Sequence, residues 1–454
     1  MKKIIIPAVS ALIAVLFIIG CTSLRTGVDS APVSFDSDLM DSYFNLLLEN
    51  DRAMGSLSVF VQGSEVYSNQ IGYRDLSNNL AHDRNTQFRI GSISKTYLTV
   101  IIMQMVEEGR LTLETRLSEF FPQVTNAHNI TIRHLLQHRS GVFNYTDDES
   151  FVNWMFDDVS KAELLGIISS YESNFEPGTE ESYSNSAFYI LALITEIIDG
   201  IPYSDILQRR IVNPLGLTIT HLGDEVNPLR NEALPYIYAR EWQEIVTFHP
   251  SVILGAGDIV STPYELNVFM HNLFSGNLVS NESLNEMQNR IDMFGLGLIP
   301  VPFYNRMGYG HTGGMPGFQA ISVYFPDDGI SVSYTTNGVR LPQNDILVAV
   351  LSILYNENFT LPEFTDTIIL PLEILEQHTG VYESDDIPLA ITVFIIEGSL
   401  FAQATGQSAF PLDALDENNF VFDTAMIHME FFPETGEMIM TQAGMEFRFR
   451  VVEL

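Results

Sequence analysis

Two stretches of alternating apolar and polar residues lie far apart in this chain. They are "LSVFVQGSEVYSNQIGY" from Leu57 to Tyr73 and "GFQAISVYFPDDGISVSYTTNG" from Gly317 to Gly338. Period-two alternation predicts strands, and turns at Gly63-Ser64 and at Asp328-Gly329 fold each stretch into a hairpin. Between them, roughly from Leu111 to Asn285, apolar residues recur at helical spacing, as in "SAFYILALITEIIDG", with breaks at Pro and Gly. Strands at both ends with helices between predict an α+β domain whose sheet closes by pairing strands distant in sequence. After "NENFTLPEFTDTIILP" the texture changes. From Leu372 to Leu454 short strands recur, "LAITVFIIEGSLFAQAT" and "MEFRFRVVEL" among them, with turns expected at Glu397-Gly398, Thr435-Gly436 and Ala443-Gly444. That is the pattern of a β-meander closing into a small barrel or sandwich. With 454 residues, 46% of them hydrophobic, the chain supports one large domain and one smaller one, expected at 38–360 and 372–454.

The first residues read "MKKIIIPAVSALIAVLFIIGCTS": two lysines, an apolar run from Ile4 to Ile19, then Gly20 and Cys21. This is the charged start and apolar core of an export signal, expected over 1–20. It is short for a membrane span and carries Pro7. Ile18-Ile19-Gly20-Cys21 looks like a bacterial lipobox, with Cys21 as the acylated residue and 21–37 as a polar tether to a membrane surface. Cys21 is the only cysteine, so no disulfide forms within the chain. Against 57 carboxylates the 22 basic residues leave a formal charge of −35, which argues against nucleic acid and anionic membranes as electrostatic partners.

Lysine is scarce. Of the 22 basic residues only Lys2, Lys3, Lys95 and Lys161 are lysines. Lys95 lies in "QFRIGSISKTYLTVIIMQMVEEG", where Leu98, Ile101, Ile102 and Met105 form a helical stripe ending at Gly109. Ser92 precedes Lys95 by one turn and falls on the same face. A serine hydroxyl needs a base before it attacks, and a lysine amine serves only if neutral, a condition met by a half-buried lysine beside an apolar stripe. The start of the helix also offers a backbone N–H and its positive dipole end to a developing oxyanion. Asp158, not a serine, stands three residues before Lys161, so Ser92-x-x-Lys95 is the chain's only such pair.

Tyr-x-Asn occurs three times. Tyr67 belongs to the first hairpin and Tyr43 to an amphipathic segment, whereas Tyr183-Ser184-Asn185 follows a Pro-Gly turn and leads into a helix. A phenol there can relay a proton to a leaving group, and the Asn185 amide can hold a substrate carbonyl. His311-Thr312-Gly313-Gly314 in "YGHTGGMPGFQAISVYF" stands at the expected start of a strand, where glycines admit a substrate backbone and an N–H completes an oxyanion hole. A second His-Thr-Gly at His378 opens the C-terminal meander without flanking glycines and reads as structural. His134 and His138 have zinc-ligand spacing but lack the glutamate of His-Glu-x-x-His. His138 is expected to tie down the Ser140-Gly141 turn, and no metal or other cofactor is implied.

Ser92-x-x-Lys95, Tyr183-x-Asn185 and His311-Thr312-Gly313, in that order, resemble the serine β-lactamase and penicillin-binding-protein superfamily, in its class C-like branch. "IRHLLQHRSGV", "EPGTEESYSN", "GAGDIVSTPYEL" and "FGLGL" extend the resemblance over roughly Phe35 to Asn358. It implies a five-stranded antiparallel sheet flanked by helices, with an all-helical subdomain across the cleft. It also implies acylation of Ser92, proton movement by Lys95 and Tyr183, and an oxyanion hole formed by the N–H groups of Ser92 and Gly314. The C-terminal part resembles the lipocalin-like barrel appended to some of these hydrolases. One departure bears on substrate: the third motif begins with His311, not with the lysine whose charge helps recognise a carboxylate, and imidazole is mostly neutral near pH 7. Relatives with histidine there include D-aminopeptidases and esterases. The expectation is a membrane-anchored serine hydrolase of the cell envelope acting on a peptide, amide or ester. A non-hydrolysing penicillin-binding or sensing lipoprotein and a weak β-lactamase are the alternatives.

Overall fold

The computed structural model describes residues 35–454 except 240, 365–366, 385–386, 388, 397, 406–408, 443–444 and 454. The expected export signal, Cys21 and nearly all of the tether lie outside the described residues, as do Glu397 and Ala443-Gly444 of the expected barrel turns. Helix α1 (Ser37–Glu49) starts where the tether was to end, with the Asp36 carboxylate accepting the Leu39 N–H at 2.9 Å.

The first hairpin is β1 (Ala53–Val61) and β2 (Ser64–Ile71). Its turn falls one residue earlier than expected, at Gln62-Gly63, both with positive φ, which is the backbone that two-residue hairpin turns require. Short strands β3 (Tyr73–Asp75) and β4 (Leu80–Ala81) pair with each other, and β5 (Phe88–Arg89) leads to the Ser92 turn. The helical section follows: α2 (Ser94–Glu107), α3 (Ile132–Leu136), α4 (Lys161–Ser170), α5 (Asn185–Asp199), α6 (Tyr203–Leu207) and α7 (Asn213–Leu215). It is not purely helical. Strands β6 (His221–Leu222) and β9 (Ile259–Ser261) join β5 in a three-stranded sheet, and β7 (Tyr236–Ala239) pairs with β8 (Glu241–Glu244) as a hairpin. Strands of two or three residues are too short to carry a period, so they left no trace in the sequence pattern.

After α8 (Pro263–Phe274) and α9 (Asn281–Gln288) come β10 (Ile299–Phe303), β11 (Arg306–Met315), β12 (Phe318–Phe325), β13 (Ile330–Val339) and α10 (Gln343–Leu354). The main sheet is antiparallel in the order β10-β11-β12-β13-β1-β2, so chain-distant β1 and β13 pair as expected, with Val59 opposite Val332. It has six strands, not five. The additional edge strand β10 reads "IPVPF", and its two prolines, which would cost ladder bonds inside a sheet, are tolerated on an edge.

Helices α1 and α10 cover one face of the sheet, burying Phe44, Leu57, Val332, Tyr334 and Val350. The other face receives α8, behind which α2 and α5 form the largest core. Buried Asn267 of α8 pins that layer to the sheet. Its amide donates to Ser58 O at 2.8 Å and accepts from the hydroxyls of Ser331 at 2.6 Å and Ser333 at 2.8 Å. Helix α2 lies between α5 and α8, with Tyr97 stacked on Phe269 at 3.7 Å, and is buried nearly all round. The apolar stripe is therefore only part of its buried surface. Thr96 donates to Gly297 O and Thr99 to Lys95 O, so these polar residues are satisfied without facing water.

The C-terminal eight strands, from Gly380–Glu383 to Met445–Glu453, form a closed meander barrel whose first and last strands pair. Its interior holds Tyr382, Phe420, Met429, Phe431, Met438 and Phe449. His378 is buried against Phe420 and Phe431 and bonds Glu417 O at 2.8 Å, a structural role as expected. The β7–β8 hairpin lies between barrel and sheet. Ala239 packs on Phe401 and Ala409, the Arg340 guanidinium lies 3.8 Å above the Tyr238 ring, and Arg340 pairs with Asp413 at 2.5 Å.

Replacing Asn267 with alanine removes the acceptor of the buried Ser331 hydroxyl and one partner each of the Ser333 hydroxyl and the Ser58 carbonyl beneath the sheet. A loss of about 3 kcal/mol is expected, read from urea unfolding as a lower midpoint with an unchanged slope.

Candidate active site

Ser92 lies in a single 3-10 turn, Gly91–Ile93, that runs straight into α2. Gly91 has φ +52°, and a β carbon there would stand 2.8 Å from Gly314 N. One on Gly313 would stand 1.9 Å from Ile90 O and 3.1 Å from Ser92 N. Only glycines allow the two backbones to approach this closely. The contact exists because β10 pairs with β11 only as far as Gly310. From His311 onward that edge of β11 is open, and the Ile90–Ser92 turn fills it. The His311-Thr312-Gly313-Gly314 motif thus occupies the end of β11, not the start of a strand as expected. Its glycines do lie against the serine, which brings the N–H-bearing segments of Ser92 and Gly314 together.

Lys95 follows one turn later and has no exposed surface, so it is more deeply buried than the expected half-buried base. Its Nζ lies 3.1 Å from Ser92 Oγ, 2.8 Å from Asn185 Oδ1 and 2.6 Å from Ala256 O. The rings of Tyr183 and Phe188 lie 4.9 and 5.5 Å away. Burial holds the amine well below the ordinary lysine range, opposed only by the charge of Asp258. A neutral amine has two N–H bonds and one lone pair. The carbonyls of Asn185 and Ala256 can only accept, so they take the two N–H bonds and leave the lone pair for the Ser92 hydroxyl.

Tyr183 Oη lies 2.8 Å from Ser92 Oγ. Burial pushes this phenol upward, with the Ser92 bond opposing, so it keeps its proton near neutral pH and is a donor. Asn185 opens α5, whose cap is the Ser184 hydroxyl bonded to Ala187 N at 3.2 Å. Its amide was expected to hold a substrate carbonyl. In the structure Oδ1 accepts from Lys95 and Nδ2 donates to Thr146 at 3.1 Å, an arrangement that orients the lysine.

His311 is buried, with Nδ1 2.5 Å from Thr312 O. Burial lowers it to about 4, with Lys95 adding to the shift, so the imidazole is neutral at pH 7 as the sequence implied. His138 was assigned to the wrong turn. Its φ is +57°, its Nδ1 accepts Ser184 N–H at 3.1 Å, its carbonyl accepts Ser182 N–H at 2.9 Å, and its ring lies 4.3 Å from Tyr183. It fixes the tyrosine loop from both sides, and local spacing could not have named a partner 46 residues away. His134 does not join it. Its Nδ1 accepts the Thr131 N–H at 3.3 Å in the capping box of α3. Glu181 accepts the N–H of Phe294 at 3.2 Å, tying "EPGTEESYSN" to "FGLGL".

Residues 40–355 match the family described as Beta-lactamase. The chain belongs to this family. Penicillin-binding protein 4* of Bacillus subtilis is 24% identical to the family member described here over 86% of this chain and 93% of its own. Teichoic acid D-alanine hydrolase of Staphylococcus aureus is 26% identical over 68% of this chain and 77% of its own. Among solved structures, D-amino acid amidase from Ochrobactrum anthropi SV3, complexed with L-phenylalanine amide, superposes with a TM-score of 0.64 at 26% identity, covering 70% of this chain and 99% of that one.

Because His311 protonates only near pH 4, an NMR titration should show its ring signals unchanged from pH 8 down to about 5.5 and then moving. A midpoint near the free-histidine value would mean that the site is open to water.

Proposed function

We propose that the protein is a lipid-anchored serine hydrolase of the bacterial cell envelope, working through an acyl-enzyme on amide, peptide or ester substrates with a D-amino acyl group. The observation that carries this reading is the position of the Ser92 hydroxyl between the Lys95 amine at 3.1 Å and the Tyr183 phenol at 2.8 Å. In this mechanism neutral Lys95 takes the Ser92 proton as Oγ bonds to the substrate carbonyl carbon. The N–H groups of Ser92 and Gly314 receive the oxyanion, and collapse expels the leaving group, which takes a proton from Tyr183 Oη. The Tyr183 phenolate then takes the proton of the Lys95 ammonium across the site, which returns both groups to their starting states. Water then attacks the ester, activated by the same pair in reverse.

Neutral His311 bears on substrate class. A buried imidazole without charge gives a substrate carboxylate no ionic partner, so uncharged amides and esters fit better than β-lactams, which carry one. The names of the amidase and the D-alanine hydrolase supply the D-amino acyl part of the reading. We place the chain in the class C-like branch on its Tyr183-Ser184-Asn185 motif. The barrel is taken as lipocalin-like from its eight-stranded closed meander, and the anchor rests on Cys21. Likeness to a penicillin-binding protein supports a second reading, in which Ser92 is acylated and not released.

A fluorophosphonate probe should label the wild type, and Ser92→Ala and Lys95→Ala should each abolish labelling; label persisting in Ser92→Ala overturns the assignment. Turnover of D-alaninamide or a nitrophenyl ester above that of a chromogenic cephalosporin is expected. Stable acylation with no turnover of any of the three supports the second reading. His311→Lys should raise kcat/KM for the cephalosporin relative to the ester roughly tenfold, the worth of a charge-assisted hydrogen bond.

A further inference from the structure

Asp258 lies deep beside the site and makes no hydrogen bond through either carboxyl oxygen. A buried acid without partners is costly and calls for an explanation. Its backbone is held firmly. Asp258 O accepts Gly223 N–H at 2.6 Å, Ile259 N–H donates to Ser94 Oγ at 3.1 Å, and Ala256 O accepts the Lys95 amine. The segment 256–259 is therefore bonded at two points to the turn of α2 that carries Lys95, with Asp258 between those points.

The charged and titratable groups around this carboxyl are Lys95, Arg89, Lys161, Tyr145 and Tyr203. Arg89 is paired with Glu232 at 3.0 Å and Lys161 with Glu196 at 2.6 Å. Among the described residues Lys95 alone of these three cations has no carboxylate bonded to it, and Asp258 is the one carboxylate that acts on it. Around Lys95 itself His138 and His311 are held neutral by burial, and Tyr183 keeps its proton.

We propose that Asp258 is a positioning residue for Lys95, the buried counter-charge that stabilises the ammonium formed when Lys95 takes the Ser92 proton. This rests on the reading of Lys95 as the base. The balance is simple. The Oγ–H bond breaks, its proton moves to Nζ, the Oγ electron pair bonds the carbonyl carbon, and the positive charge appears in a region closed to water. The carboxylate offsets that charge and makes Lys95 a stronger base, in the way that an acid supports an imidazole elsewhere. Burial raises Asp258 to about 7, while the N–H groups of Gly255 and Asp258 lie near enough to favour its charge without completing a bond of normal geometry. A carboxyl raised above its unfolded value binds its proton more tightly in the folded protein, so its presence costs stability progressively as pH rises from about 4 to about 7. On this account Asp258 is retained at the expense of stability.

The test is Asp258→Asn in the full chain, followed by kcat/KM for a nitrophenyl ester across pH and by melting at pH 5 and pH 8. We expect the acid limb of the profile to move down by about one pH unit or more, because Lys95 loses its counter-charge. The plateau should fall about tenfold or more, as suits a weaker base. The variant should melt higher than wild type at pH 8, and by a clearly smaller margin at pH 5. An unmoved limb, a lower melting point at pH 8 or failure to fold each overturns the proposal. Lys95→Ala separates the two readings. If it stays active, the base assignment fails, whereas an inactive Lys95→Ala beside an unmoved Asp258→Asn limb removes Asp258 alone.

Discussion

An amine with no exposed surface is the constraint on which the rest of this structure depends. Lys95 is reached by three elements at once: the Ser92 turn before α2, the first residue of α5, and the carbonyl of Ala256 ahead of β9. Each must be in place for the amine to be both desolvated and hydrogen-bonded, and a buried amine without partners would be far costlier than one left in water. The aromatic walls of Tyr183 and Phe188 exclude water without competing for the lone pair. The helical layer is thus a jacket around one nitrogen, and the sheet is what the jacket presses against.

The charges in this jacket are few despite the chain's excess of acid. With −35 formal charges overall, the site has one lysine, one buried carboxyl and two histidines kept neutral by burial. Desolvation acts in opposite directions on acids and bases. It lowers Lys95 toward useful basicity while raising Asp258 and Tyr183, so one low-dielectric environment sets a base, an acid and a proton donor together. Most surface carboxylates are screened from this interior and have no part in that arrangement.

Much of this was legible in the sequence because the informative features were local or periodic. The β1–β2 hairpin, the β12–β13 hairpin and the barrel meander follow from alternation and turn residues, and the pairing of β1 with β13 follows from having strands only at the ends. Ser92, Lys95 and Tyr183 could be named because each belongs to a short motif with its own chemistry, and the structure brings all three into hydrogen-bond contact. What stayed hidden depends on partners distant in sequence. His138 had only its spacing from His134 to speak for it, while its true partners are the residues around Tyr183. Asp258 stood inside a recognised stretch, yet its lack of partners is visible only in three dimensions. The edge strand β10 was concealed by its prolines, and the short strands β5, β6 and β9 by their length.

The sheet closes only when β13 reaches β1, and the serine turn is completed only by the end of β11. During synthesis Ser92 and Lys95 emerge long before Gly314, and until β11 arrives the serine turn has no opposing backbone and the Gly314 N–H is missing from beside Ser92. A chain cut short by premature termination or by a protease before β11 therefore carries its serine in an unarmed state. Chain order itself acts as a safeguard, delaying reactivity until nearly the whole catalytic region has been made.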